Sequence, residues 1–470
     1  MGIDLSENSD KSTFNFFTVG SNKVRVSADS PHLLKNLRNA FQKFDFVLSD
    51  EIVKYYKLPS NTVKMQHIRD LYQFDCQAEL KYAPNLKDDC FDVHGLAAMN
   101  VPKAKRLLSQ EVGAGLEALV EIHKYPIEYK TTAFFCNMIG RWYNLVTSRR
   151  RDFAISKKDV RRFEDEMNFL DEVVHLINST QFSAKQRSKN FVQKGFTLSI
   201  ASLKDVVIYL LETKDYEYVL CGRFTGDCIE NLFSVVRKKD KAPTPLQFTN
   251  ILETLTFLGQ LRPSKYGAYE EDEQSCWVTE ISDFIKMYDE SDEIAEKDDK
   301  ELDLFVCEYE HKDHAEQRVL MNLIGYLLSK TICSISFCKD CKEVFTSKEP
   351  CLPEHEFIEM KEYKKYALVY PSQLAFKIFN MAEDTFRYHR EKLHDGENVQ
   401  EQIIDKLDEV IRDKFVIPFC HLDLLLKRWF KIRMYFWASE LNKQMKKAHS
   451  KEIVGLANAS ASMAGYYLNK

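Results

Sequence analysis

An acidic run poor in apolar residues restricts the fold most. From Asp289 to Asp303 the apolar residues are Ile294, Ala295 and Leu302, among a dense series of Asp and Glu. Such a segment cannot bury enough surface to offset the entropy of ordering it. Tyr269 to Glu273 has the same character, so residues 266–310 read as a solvated acidic linker. The chain therefore cannot form one continuous core. Its 470 residues lead to the same view, since single cores stop growing near ~250–300 residues.

Before the linker, the periodicity changes twice. Lys23 to Asp29 alternates like a half-buried strand, then meets Ser30-Pro31, a cap with proline at the first helical position. Leu33, Leu34, Leu37 and Phe41 follow at helical spacing, which makes an α/β element. Residues 63–190 are mostly helical in pattern and read as an insertion into something else. Strand-like character returns at Phe196 to Ile200 and at Glu217 to Leu220, with helices expected from Asp227 and through Phe248 to Leu258. The expected parts are thus 1–62, 63–190 and 191–265, with a helical C-terminal domain over 311–470. The fold class is α/β plus α.

Bulk properties exclude some functions. Net charge is −5, so the chain is no polycation, and contact with phosphates must come from local patches. Arg149, Arg150 and Arg151, with Lys157 and Lys158, form the best such patch, and Arg237 adds to it. No stretch reaches the ~18 uninterrupted apolar residues of a membrane span. Met1 to Lys11 is polar and acidic, unlike a signal peptide. The 12 cysteines read as reduced thiols of a nuclear or cytosolic protein.

Two carboxylate settings carry candidate chemistry. In Gly226 to Arg237, a helix would bury Ile229, Leu232, Phe233 and Val236 and place Asp227, Glu230, Ser234 and Arg237 on the opposite stripe. That face suits cations held beside a phosphate, but Asp-x-x-Glu also caps helices. Asp29, at a strand end, is either a ligand-collecting position or a turn residue that helps to cap the next helix. Two weaker signals lie beyond the linker. Cys333, Cys338 and Cys341, with Cys351 and His355, offer four zinc ligands or ordinary buried thiols. Lys427 to Arg433 interleaves basic and aromatic residues, as nucleic-acid surfaces and amphipathic helices both do.

Ala28 to Asn39 (ADSPHLLKNLRN) resembles the D-P-P-H-L-I-K-x-x-R-N segment of P-element-type transposases and their domesticated THAP-domain relatives. Gly226 to Arg237 (GDCIENLFSVVR) resembles that family's Q-D-x-x-E-N-F-F-x-x-x-R helix. Lys194 to Leu203 resembles the opening of the second part of the family's nuclease fold, and Met99 to Leu116 its inserted GTP-binding domain. These segments come in the family's order.

The resemblance implies an RNase H-like fold interrupted by a helical GTP-binding insertion. It also implies a nuclear DNA transposase whose acidic residues hold two Mg²⁺ ions for cleavage and strand transfer at transposon ends. Asp29 would be the second acidic residue and Glu230 the third, brought together from about 200 residues apart. Asp227, Asn178, His175, Lys103 and Lys105 fall at nucleotide-binding positions, with His175 standing where the family has Asp, so GTP binding should be weakened or lost. The family's first Asp lies upstream, before a segment that Met1-Gly2-Ile3 resembles, so that Asp and the THAP zinc finger are expected to be missing. DNA cleavage by the chain alone is then not expected. The competing expectation is a domesticated, non-catalytic protein that binds DNA, a transposase partner or its own copies.

Overall fold

The computed structural model describes residues 15–19, 22–91, 93–149, 151–182, 191–240, 242–257, 313–334, 338–362, 368–390, 399–415, 420–438 and 440–441. The acidic run, Met1-Gly2-Ile3 and Arg150 lie outside them. The chain divides into two compact units, Met1–Cys276 and Trp277–Lys470.

The first unit opens with a hairpin of β1 (Phe16–Val19) and β2 (Asn22–Arg25), paired antiparallel with Phe17 opposite Val24. It runs into α1 (Ser30–Phe41), one residue earlier than the Ser-Pro signal predicts: Asp29 is the N-cap and Pro31 the second helical residue. Then come β3 (Phe46–Val47), α2 (Asp50–Tyr55), β4 (Thr62–Val63) and α3 (Met65–Gln77). The helical block continues with α4 (Val101–Leu107), α5 (Gln110–Glu121), α6 (Tyr129–Val146) and α7 (Val160–Ser179). After it lie α8 (Phe191–Ile208), α9 (Asp227–Lys239) and α10 (Pro245–Phe257).

Helix α6 is the hub. Apolar residues on every side of it, from Ala133 and Phe135 to Trp142 and Val146, are buried, the pattern of a helix surrounded by others. On one side α5 approaches unusually closely. A Cβ on Gly140 would lie 2.6 Å from the backbone nitrogen of Gln110, and one on Gly113 would collide with the Asn137 side chain. On another side Trp142 meets Phe196 of α8, with ring centroids 4.3 Å apart. Phe46 packs against Phe41, Phe135 and Phe182 at 4.8, 5.6 and 4.6 Å, which ties α1, β3 and α6 to the chain just after α7.

Two expected strands are not formed. Phe196 to Ile200 lies within α8: Phe196, Leu198 and Ile200 alternate with Thr197 and Ser199 as in a strand, but the helix is covered on most sides, so both Ser199 and the apolar residues are buried and the helical period is hidden. Glu217 to Leu220 contributes a single bridge, Val219 to Ile155. Ser199 and Ser202 of α8 instead hold the chain leading from the hairpin. Ser199 Oγ accepts from Ala28 N and donates to Ala28 O, both at 2.8 Å, and Ser202 Oγ donates to Val26 O. Among the described residues, this part of the unit carries a two-stranded hairpin and helices, without a larger sheet.

The second unit is helical, with α11 (His314–Ser334), α12 (Lys339–Phe345), α13 (Glu356–Lys361), α14 (Gln373–His389), α15 (Val399–Lys414) and α16 (residues 422–438). A short pair, β5 (Thr346–Ser347) and β6 (Tyr370–Pro371), joins α12 to the chain before α14. The Lys427 to Arg433 segment is an amphipathic helix. Trp429 and Phe430 are fully buried, and Arg433 makes two hydrogen bonds to the buried Glu383, at 2.7 and 2.8 Å.

Candidate functional site

Asp29 occupies the N-cap position of α1, but its carboxylate makes no capping hydrogen bond to the helix backbone. It turns instead across the unit. Oδ1 accepts the backbone N–H of Gly226, 2.7 Å away and 197 residues later. Oδ2 pairs with His32 Nδ1 at 2.7 Å. Gly226 begins α9, and its carbonyl accepts the N–H of Glu230 at 3.0 Å, so Glu230 lies one turn beyond the Asp29 contact. The buried Lys35 responds to both acids: burial lowers its pKa most, while Asp29 and Glu230 raise it. Asp29 is thus held against the N-terminal end of the helix that carries Glu230.

Asp227 joins the cluster from the first turn of α9. Arg149, just past the end of α6, forms an ion pair with it. The loop geometry explains the meeting: Gly222 N–H donates to Ser148 O at 2.9 Å, which seats the chain before α9 against the end of α6. Burial raises the pKa of Asp227, opposed by Thr225 and Arg149 and reinforced by Asp29. Three acids thus share one place with Arg149, His32 and Lys35. Of these basic residues Arg149 is the one the sequence singles out individually, and there as a phosphate ligand. His32 and Lys35 follow Asp29 at i+3 and i+6, a spacing that could have flagged them.

The remaining candidates sit elsewhere. Lys103 pairs with Asp89 at 3.1 Å, and the Lys105 ammonium lies over the Tyr143 ring at 5.9 Å. His175 is exposed, 3.6 Å from Glu51. Asp171, one turn earlier, pairs with Lys204 at 2.6 Å. The Asn178 amide bonds Thr197 Oγ1 of α8 at 3.0 Å. The basic patch is largely internally matched: Arg151 and Lys158 pair with Glu217 at 3.6 and 3.1 Å, and Lys157 with Glu212 at 2.5 Å. Arg237 is exposed, its guanidinium 5.9 Å from the Phe233 ring centroid.

Parts of the chain are similar to known proteins. The family described as "TNP-like, GTP-binding insertion domain" matches residues 31–159. The Transposable element P transposase of Drosophila melanogaster is 22% identical over 448 residues, covering 92% of this chain and 54% of its own. The DNA transposase THAP9 of Homo sapiens is 22% identical over 424 residues, covering 83% of this chain and 44% of its own. The chain is similar to the P-element-type transposases. It spans about half the length of the curated proteins it matches. A solved Drosophila P element transposase strand transfer complex is 21% identical with a TM-score of 0.45, covering 53% of this chain and 56% of that one. The residues matched by the GTP-binding insertion domain model run from α1 through α6 and stop just before α7.

Proposed function

We propose that this chain is a transposase-like core, acting in the nucleus on DNA, whose acidic site is closed upon itself and does not cut DNA unaided. The observation that supports the reading is the long-range bond from Asp29 to Gly226, which brings the Asp29 carboxylate to the start of the helix that carries Glu230. Oxygen donors are the right chemistry for Mg²⁺. Their present partners are not. Both Asp29 oxygens are engaged, Asp227 is neutralised by Arg149, and Lys35 stands by Asp29 and Glu230. Among the described residues, these acids do not gather three ligand atoms within 4.8 Å of one another. A pair of metal ions therefore does not fit this arrangement, and no cleavage step follows from it. Among the described residues the cysteines are free thiols, in keeping with a reducing compartment.

A nicking assay tests this. The full chain, with supercoiled DNA and Mg²⁺ or Mn²⁺, should convert no more DNA than its Glu230→Gln variant. Nicking by the unaltered chain that Glu230→Gln abolishes would overturn the reading.

Nucleotide binding follows the same logic. His175 offers one acceptor where a carboxylate would accept two N–H groups from guanine, and Asn178 is engaged by Thr197. The loss of a charge-assisted bond costs on the order of 1.5–3 kcal/mol, roughly ten- to a hundred-fold in affinity. Calorimetric titration should give weak binding with little preference for GTP over ATP. Tight, GTP-selective binding would refute this part.

A further inference from the structure

In the second unit, three thiols and an imidazole converge from distant parts of the chain. Cys338 and Cys341 lie at the start of α12, while Cys420 and His421 immediately precede α16. The sulfur of Cys420 is 3.2 Å from that of Cys338 and 3.2 Å from that of Cys341, which lies 79 residues away. His421 Nδ1 lies 3.0 Å from the Cys420 sulfur and 3.5 Å from the Cys341 sulfur. All four ligand atoms fall within 4.8 Å of one another. We infer that Cys338, Cys341, Cys420 and His421 form a structural Zn²⁺ site.

The donor set selects the ion. Three sulfurs and one ring nitrogen suit a borderline-soft cation and repel none of its charge once the thiols ionise, whereas Mg²⁺ and Ca²⁺ require oxygen. Zinc–sulfur bonds of about 2.3 Å put tetrahedral sulfurs about 3.8 Å apart. The thiols need to spread by only about half an ångström to admit it. A disulfide accounts for the cluster less well, because it would join two sulfurs and leave the third thiol and the imidazole unexplained. The local backbone is also suited. Cys338 caps α12 and its sulfur accepts the N–H of Cys341 at 3.3 Å, an arrangement that stabilises a thiolate. With four protein ligands and no open position, the site would be structural, fastening the start of α12 to the start of α16.

The second half of the site differs from the one the sequence suggests. His355 is buried with both nitrogens committed: Nδ1 accepts from the N–H of Cys351 at 3.2 Å, and Nε2 donates to Pro371 O at 2.9 Å. Cys351 is exposed and stands near Ser347.

Metal content of the full chain decides the matter. Protein expressed with zinc and purified without chelators should carry one Zn²⁺ per chain. Replacement by Co²⁺ should give the intense visible spectrum of a tetrahedral site with three thiolates. Cys420→Ser and His421→Ala should lose the metal, and Cys351→Ser should keep it. A metal-free chain that takes up neither zinc nor cobalt overturns the assignment. So does stoichiometric zinc in Cys420→Ser, or loss of zinc in Cys351→Ser with retention in Cys420→Ser. If Cys420→Ser does not fold, the cobalt spectrum of the unaltered chain decides alone, and a spectrum without thiolate bands sinks the proposal.

Discussion

Glu117 shows how one buried acid can govern the first unit. Its carboxyl accepts from Asn137 Nδ2 at 3.0 Å across the α5–α6 contact. Burial is the main cause that moves its pKa from 4.5 to about 7, with Lys130 opposing and Glu121 adding to it. The folded state therefore keeps a proton that the unfolded chain releases between pH 4.5 and about 7. The stability this contributes is full below the lower value and is lost as pH rises through the upper one. Glu117→Gln preserves an acceptor for Asn137 without the charge. Thermal melts should show the variant a few degrees more stable than the unaltered chain at pH 8. The gap should close towards pH 5. Asp75, whose pKa burial raises to about 6, leaves the variant a smaller slope of its own. A variant melting lower than the unaltered chain at pH 8 would contradict the argument. None of this was legible in the sequence, because Glu117 is one of many acids until α6 covers it. The same holds for Asp29: its residue type drew attention, but its commitment to Gly226 depends on a contact that no local pattern encodes.

Among elements, the α5–α6 pair explains why glycine appears inside good helices. Glycine within a helix costs up to about 1 kcal/mol relative to alanine. Gly140→Ala should thus stabilise the protein if propensity alone mattered. The Cβ would lie 2.6 Å from Gln110 N and 2.9 Å from the Ser109 carbonyl carbon, at the backbone turn where Ser109 caps α5. Backbone cannot yield as a side-chain tip can, and overpacking costs about 1–3 kcal/mol. Urea denaturation should therefore show a lower midpoint for Gly140→Ala at an unchanged slope. A higher midpoint would mean that the helices separate freely. Periodicity served well where one face of a helix is exposed: α1, α9 and α10 stand where the apolar repeats place them. It failed at α8, where Phe196, Leu198 and Ile200 alternate with Thr197 and Ser199 and burial extends to Ser199 and Ser202.

At the scale of the molecule, long-range pairs set the order in which the parts become usable. The Cys341–Cys420 approach spans 79 residues and the Asp29–Gly226 bond spans 197. Neither leaves any period in the sequence, which is why the half of the thiol site beyond Cys341 is not legible there. The bonds from Ser199 and Ser202 to the chain after the hairpin are equally distant, with 171 and 176 residues between the partners. These spans also set a timetable during synthesis. A ribosome adding about 5–20 residues per second reaches Gly226 roughly ten to forty seconds after Asp29. For that interval α1 has neither α8 to lie against nor α9 to close over its acids. The helices from α3 to α7 emerge meanwhile and can bury Phe41, Phe46 and Phe135 together, so nascent chains halted before α8 should already protect that aromatic cluster from exchange while leaving the Asp29 carboxylate bare.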